Sequence, residues 1–408
     1  MLIKEHEPLA PFTTFGIGGP ARWFVEANCE DDVVEATAWA RERGLALFVL
    51  GGGSNLLVSD AGFDGLVLRV GLRGIRIART GRQGYGPSRI LEQHTSGAKA
   101  PIDAGDLTPG MNPWPTVRPS FSAAGVAPGN SDEVDVSAYG LVYHVAAGEN
   151  WDSFVERTVH DNFAGIECLA GIPGTVGGTP VQNVGAYGQE VASVIERVRA
   201  FDLTERRFVE FSANECGFAY RRSRFNSTDR GRYIVTRVDY RLTPGGAPTL
   251  RYAELERTIH ASRPEGGDPS LVEVATAVRQ IRRAKGMLLV EGDADCRSAG
   301  SFFKNPVATE EQLRRIARAS GKEPPRFPAG TADSGRFKVP AAWLIEQSGF
   351  AKGYSAGAAG ISSRHTLALV NRGGASAAEI LAIASQIVNA VEERFEIRLE
   401  IEPVLLGF

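Results

Sequence analysis

Long apolar runs are missing from this chain of 408 residues, and so are the usual marks of secreted, metal-bound and hydrolytic proteins. No stretch approaches the roughly 20 apolar residues of a bilayer-spanning helix, and the N-terminus lacks the basic-then-apolar pattern of a secretory signal. Four cysteines (Cys29, Cys168, Cys216, Cys296) form no CxxC pair, which argues against a disulfide framework and a zinc site. The six histidines have no metal-ligand spacing and lie in no motif, so solvent-facing or incidental positions are expected for them. A formal net charge of -3 makes no electrostatic case for a nucleic-acid surface. The pairs Arg221-Arg222 and Arg282-Arg283 are short enough to read as solvated helix faces or local anion sites. There is no GxSxG elbow and no GK[ST] phosphate loop, so hydrolase and Walker-type chemistry lose their signatures. A cytoplasmic protein is expected, without nucleic-acid or membrane partners; its oligomeric state is open, and a monomer is compatible with everything above.

What is present is ordinary in bulk and unusual in detail. A hydrophobic fraction of 43% and a charged fraction of 23% suit a soluble chain with two or three cored domains. Residues 21–27 predict a strand, 33–43 a helix closed by Gly44, and 45–50, 56–58 and 66–68 further strands. From about 80 to 135, Gly, Pro, Ser and Ala dominate and periodicity disappears, as in an insertion without a catalytic role. Strands are predicted at 141–146, 194–203, 207–211 and 234–242, with helices at 150–162 and 270–285. Beyond residue 303 the pattern is mostly helical (310–319, 341–348, 377–395), and a last strand over 397–406 is free to return to an earlier sheet.

Two long glycine segments carry the first chemical signal. Gly51, Gly52, Gly53, Ser54 and Asn55 end an apolar strand, where residues without a β-carbon expose main-chain N–H groups to a diphosphate. Pro173, Gly174, Gly177 and Gly178 form a second such cradle, extended by Asn183, Gly185, Ala186, Tyr187 and Gly188. A single glycine loop is more often a tight turn; two with small polar residues point to a dinucleotide. Residues 16–21 superficially match GxGxxA, but a strand rather than a helix follows them, so a Rossmann site is not indicated. The second signal is residues 299–306, Ala-Gly-Ser-Phe-Phe-Lys-Asn-Pro. There a single hydroxyl, Ser301, sits between Gly300 and two water-excluding aromatics, a setting for a proton donor or equally for a buried turn. Arg221 offers a guanidinium fork for a carboxylate or enolate, with a surface basic cluster as the plain alternative. Glu400 and Glu402 share a face of the predicted last strand, which spacing alone reads as a solvated edge.

Taken in order, residues 13–19, 51–55, 147–151, 171–188, 220–221, 300–306 and the closing Glu402 resemble the UDP-N-acetylenolpyruvoylglucosamine reductase family. The resemblance covers the chain from about residue 13 to its end, apart from the 80–135 run, which has no counterpart. It implies an α+β fold: an FAD-binding region of two α/β subdomains, non-Rossmann and PCMH-type, plus a C-terminal α/β substrate-binding domain. The implied boundaries are 1–70, 71–285 and 286–396, with 397–408 returning to the FAD-binding region. It implies FAD and NADPH, a UDP-sugar enolpyruvyl ether as substrate, and a role in peptidoglycan precursor synthesis. By the same resemblance Ser301 is the proton donor, Arg221 meets the enolpyruvyl group, and Glu402 is the C-terminal acid. Tyr220 and Tyr252 would reach substrate, and Lys285, Asn305 and Gln347 would hold the uridine nucleotide. The ending Leu-Glu-Ile-Glu-Pro-Val departs from the family pattern, so Glu402 is chosen over Glu400 by gapless alignment. A serine is a weak acid and needs a cation nearby; Lys304 is its neighbour in sequence. Two rivals are an FAD-dependent oxidase of a sugar alcohol or lactone, weakened by the lack of a covalent-flavin motif, and a nucleotide-sugar binding protein with a decayed site.

Overall fold

A computed structural model describes residues 1–80, 140–263, 266–329 and 334–408. Beyond residue 80, the run read as an insertion lies outside them.

Apolar residues of alternating and continuous pattern in the first 70 positions make a four-stranded sheet. Its order is Ile3–Pro8, Pro20–Ala27, Phe63–Val70, Ala46–Leu50, with only the first pair antiparallel. The helix Glu30–Glu42 packs Val33, Ala36 and Ala40 inward. Its start is fixed by the Asp32 carboxylate, which accepts from the Asn28 and Cys29 amides, and it stops at Gly44, whose φ of +62° suits a residue without a β-carbon.

The second sheet is antiparallel throughout: Arg207–Ser212, Ile195–Asp202, Tyr233–Pro244, Gly140–Ala146, Ile75–Thr80. The helices Trp151–His160 and Leu271–Ala284 share its core, where the Tyr240 ring lies 5.9 Å from Trp151 and 5.3 Å from Phe154. One interaction ties the two sheets. Arg199 donates from Nε and Nη2 to Glu30 at 2.8 and 2.9 Å, and the Thr236 hydroxyl adds a 2.7 Å bond to the same carboxylate.

After residue 286 a separate core forms around the helix Ala377–Phe395, whose Ile380, Ile383, Ile387 and Val391 meet Leu313, Leu344, Phe302 and Phe303. It is docked on the first sheet by specific bonds. Asp60 caps the helix by accepting from the Ala377 and Ala378 amides, Asn371 donates to the Phe15 carbonyl, and Thr14 to that of Ser298.

Two expectations are revised. The last strand is confined to Val404–Leu406, parallel to Leu56–Val58, because Pro403 has no N–H to continue a ladder and only the bridge Phe303–Ile401 precedes it. The strand Ile3–Pro8 and the helix Ala253–Ser262 give no predicted element; the first is a charged edge strand, mostly exposed.

The fully buried Tyr240 hydroxyl lies 2.6 Å from that of Thr179, joining the sheet to the second glycine segment. Thr179 keeps a second bond to the Val176 carbonyl at 2.8 Å. Tyr240→Phe is therefore expected to cost only about 1 kcal/mol in urea unfolding.

Candidate active site

The two glycine segments meet. A β-carbon on Gly52 would stand 2.5 Å from the Gly174 Cα, and one on Gly53 would stand 1.8 Å from the Phe12 carbonyl oxygen. On Gly51 it would reach 3.0 Å from Thr175 Oγ1, and Ser54 Oγ lies 3.1 Å from the corresponding position on Gly174. Main chain thus lies on main chain, with nothing but backbone and small hydroxyls at the junction, while Gly178 faces open space. This is a cradle fit for a diphosphate: exposed N–H groups and no side-chain bulk. Gly177 is held by its amide on the Ala147 carbonyl and Val176 by its amide on that of Glu149, so the segment is anchored at the start of the helix Trp151–His160.

Two of the predicted cofactor residues spend their side chains on bonds within the protein. Asn183 is buried with φ +43°; its amide donates to the Glu190 carboxylate and to the Ala219 carbonyl, and its oxygen accepts from the Ala192 N–H. It pins the second glycine segment to the loop that carries Arg221. Asn55 likewise spends its amide on the Glu402 carbonyl at 3.4 Å. Gly185 and Ala186 pair with Glu190 and Gln189, and the turn between them puts both Tyr187 and Gly188 at positive φ. Pro173 precedes Gly174 in the same cradle.

A second cluster draws on three distant parts of the chain. Residues 219–222 form a tight hairpin, with Ala219 and Arg222 exchanging main-chain bonds of 2.9 and 3.0 Å and Arg221 at φ +54°. The Glu402 amide donates to the Phe302 carbonyl at 2.9 Å and the Lys304 amide to that of Glu400 at 3.0 Å, so the chain's end runs antiparallel to the serine segment. Arg221 Nε thereby comes 3.2 Å from Glu402 Oε1. The two are paired by distance, yet this nitrogen is buried and makes no hydrogen bond of acceptable geometry. Burial pushes the Glu402 carboxyl above the usual carboxylate range, against the opposing pull of Arg221 and Lys304. Tyr220 leans on Asn305, burial raising its phenol, and Asn305 in turn accepts from the Ala341 amide at the head of the helix Ala341–Gln347. Ser301 follows Gly300 (φ +71°), half-buried, and no hydrogen bond within the described residues engages its hydroxyl.

The two acids at the chain's end separate clearly. Glu400 is 75% exposed and paired with Lys304 at 3.1 Å, whereas the Glu402 side chain is 14% exposed and faces Arg221. The shared solvated edge does not exist, and the Lys304 ammonium, neighbour in sequence to Ser301, pairs with Glu400.

The comparisons with known proteins bear on this arrangement. A model described as the UDP-N-acetylenolpyruvoylglucosamine reductase C-terminal domain matches residues 292–406, and one described as an FAD binding domain matches 21–83 and 130–207. A protein of Thermobifida fusca named UDP-N-acetylenolpyruvoylglucosamine reductase is 40% identical across 99% of this chain and 98% of its own length. The chain belongs to the UDP-N-acetylenolpyruvoylglucosamine reductase family. Its Streptomyces coelicolor relative of the same name is 39% identical over 98% of this chain and 89% of that protein. A crystal structure of the reductase from Thermus caldophilus covers all of both chains with a TM-score of 0.56 at 24% identity, which establishes the shared fold. FAD and NADPH are accordingly the cofactors of this α+β flavoprotein.

Within that fold the remaining predicted residues gather less tightly. Lys285, the residue capping the helix Leu271–Ala284, is bound by Glu254 at 2.5 Å. Tyr252 is 41% exposed and stands edge-on to Tyr187 with ring centroids 5.3 Å apart. Gln347 ends its helix with no side-chain hydrogen bond among the described residues. Three neighbours escaped the sequence reading. The Lys338 ammonium stands 3.7 Å above the Tyr220 ring, and Glu254 occupies Lys285. His365 is half-buried rather than solvent-facing, and its imidazole is held down at about 4, first by desolvation and then by Lys285 and Lys352. Arg282 is also no solvated face: it is buried, donating to the Gly171 and Met287 carbonyls at 3.0 and 2.7 Å. None of these lies in a motif; each is defined by contacts between distant segments.

Gly52→Ala forces its methyl into the Gly174 backbone, so FAD affinity should fall by about tenfold or more. Fluorescence titration of the apoprotein with FAD reads that loss directly, and an unchanged affinity contradicts the cradle.

Proposed function

We propose that this chain reduces the enolpyruvyl ether of UDP-N-acetylglucosamine to the lactyl ether with NADPH, in peptidoglycan precursor synthesis. This places it in the cytoplasm, on the route to cell wall, cell shape and cell division. The observation that carries the reading is the buried Arg221 Nε, free of any hydrogen bond, facing the largely desolvated acid Glu402 on the segment that runs beside Ser301. Family membership favours it over an oxidase. Residues 1–70 and 71–285 are the two FAD-binding subdomains in this reading, 286–396 the substrate domain, and 397–408 the return.

Bound FAD supplies the two-electron carrier between NADPH and substrate. The glycine segments at 51–55 and 173–188 hold its pyrophosphate; the rest falls to the chain's own side chains. Negative charge develops at the substrate carbon next to its carboxylate, and delocalises into the carboxylate oxygens. Arg221 gives those oxygens its free donor, and protonated Glu402 gives a second, so both donors strengthen as charge builds. Ser301 donates a proton to the carbon and fixes its configuration. Tyr220, with Lys338 on its face, holds the substrate from the hairpin side, and Asn305 beside it reaches toward the nucleotide. Tyr252, Lys285 and Gln347 take its nucleotide end. Phe302 and Phe303, both fully buried, back the serine with an apolar wall that keeps water from quenching the carbanion.

Ser301→Ala should leave flavin reduction by NADPH near its normal rate while flavin reoxidation by the enolpyruvyl substrate slows by ~10²–10⁴. Stopped-flow absorbance separates the halves, and equal slowing of both removes the proton-donor role. The raised Glu402 carboxyl keeps its proton to a higher pH than an ordinary carboxylate and loses it as pH rises through that value. Reoxidation should therefore fall on the alkaline side, and Glu402→Gln should flatten that limb. A limb that survives in Glu402→Gln assigns it to another group.

A further inference from the structure

The hairpin that aims Arg221 at Glu402 has a second arginine that does something different. Arg222 lines a cavity of about 420 Å³ with Glu215, Gly217, Ala219, Arg224, Ser227 and Thr228, and Arg221 takes no part in it. Surrounding arginines are neutralised: Arg197 and Arg237 by Glu210, Arg232 by Asp202, and Arg224 by Asp229 at 2.8 Å. Arg224 is further fixed by its bond to the Glu215 carbonyl and by lying 4.1 Å over the Phe211 ring, so it forms a rigid wall. The Glu215 carboxylate is itself taken up by the Ser212 amide and hydroxyl at 2.8 and 2.7 Å. Arg222 alone in this cavity is an exposed cation with no acceptor within the described residues, and Thr228 beside it is an exposed hydroxyl.

A guanidinium fork with an adjacent hydroxyl, in a recess where every carboxylate is already engaged, suits a phosphomonoester. The reductase reading, on which this inference rests, brings three kinds of anion to the protein. The substrate carboxylate falls to Arg221, and the nucleotide diphosphate falls to the side of Lys285 and Asn305. The third is the 2′-phosphate that distinguishes NADPH from NADH. We propose that the Arg222 cavity seats this 2′-phosphate, which makes Arg222 the residue that selects between the two nicotinamide donors.

The test needs Arg222→Gln and Arg222→Lys in the FAD-loaded enzyme. Calorimetric titration with adenosine 2′,5′-bisphosphate and adenosine 5′-monophosphate should show the bisphosphate binding about tenfold tighter, the scale of one charge-assisted hydrogen bond. Arg222→Gln should abolish that difference and Arg222→Lys restore part of it. In steady state, Arg222→Gln should raise KM for NADPH about tenfold and leave KM for NADH and kcat unchanged. Equal changes with NADPH and NADH, or a bisphosphate preference that survives in Arg222→Gln, overturn the assignment. Should the native enzyme fail to oxidise NADPH, the reductase reading falls, whereas the bisphosphate titration still decides whether Arg222 holds a phosphate.

Discussion

The main-chain bond from the Glu402 amide to the Phe302 carbonyl is where the chain closes on itself, and the site depends on that closure. It sets the end of the chain beside the serine segment, and the parallel pairing of Val404–Leu406 with Leu56–Val58 then carries that end back to the first sheet. Val404 donates to the Asn55 carbonyl and Asn55 to that of Glu402, so the first glycine loop and the acid are fixed by the same few bonds. Arg221 is brought to this junction from the second sheet in a left-handed conformation that costs a residue with a β-carbon ~1–2 kcal/mol. Three constraints hold it there: the Ala219–Arg222 exchange, the Asn226 amide on the Arg221 carbonyl, and the Asn183 amide on Ala219. Such local strain persists where its surroundings over-determine the backbone.

The glycines answer a steric demand rather than a chemical one. At Gly52 and Gly53 the neighbouring atoms are main chain, which cannot swing aside as the end of a long side chain can. The two segments close to within contact only because both are bare, and the exposed N–H groups follow from that approach. Arg282 completes the support from behind. A buried cation with two carbonyl acceptors is costly to place, and its bond to Gly171 fixes the entry to the second segment.

Much of this was legible from local pattern. The helix Ala377–Phe395 was read to the residue, because Ser376 and Glu379 form a capping box ahead of an unbroken apolar stripe. The strands Ile195–Asp202 and Gly140–Ala146 showed as apolar runs between turn residues. What failed was long-range. Whether Glu400 or Glu402 is buried depends on which lies opposite Arg221, 181 positions or so away, and alternation along one strand cannot carry that. Lys338 and His365 were invisible for the same reason: their partners, Tyr220 and Lys285, lie more than a hundred and about eighty positions away by the sequence numbering. That the Asn183 side chain braces the Ala219 loop was invisible for the same reason, since its partner lies 36 positions away.

The electrostatic state of the site follows from burial. If Glu402 were ionised, its charge would close on Arg221 and an incoming carboxylate would meet a pair already satisfied, with a like charge beside it. Burial works against that closure by disfavouring the carboxylate form. With Glu402 neutral, Arg221 keeps its donor for a ligand and the acid contributes an O–H of its own. Nε lies 3.2 Å from Oε1 outside hydrogen-bond geometry, so its N–H is directed elsewhere. Lys304, paired with the exposed Glu400, still pulls the Glu402 carboxyl down as Arg221 does, and burial outweighs both. The two acids at the chain's end thus differ in kind: Glu400 is a solvated ion-pair partner, and Glu402 is a desolvated acid facing Arg221.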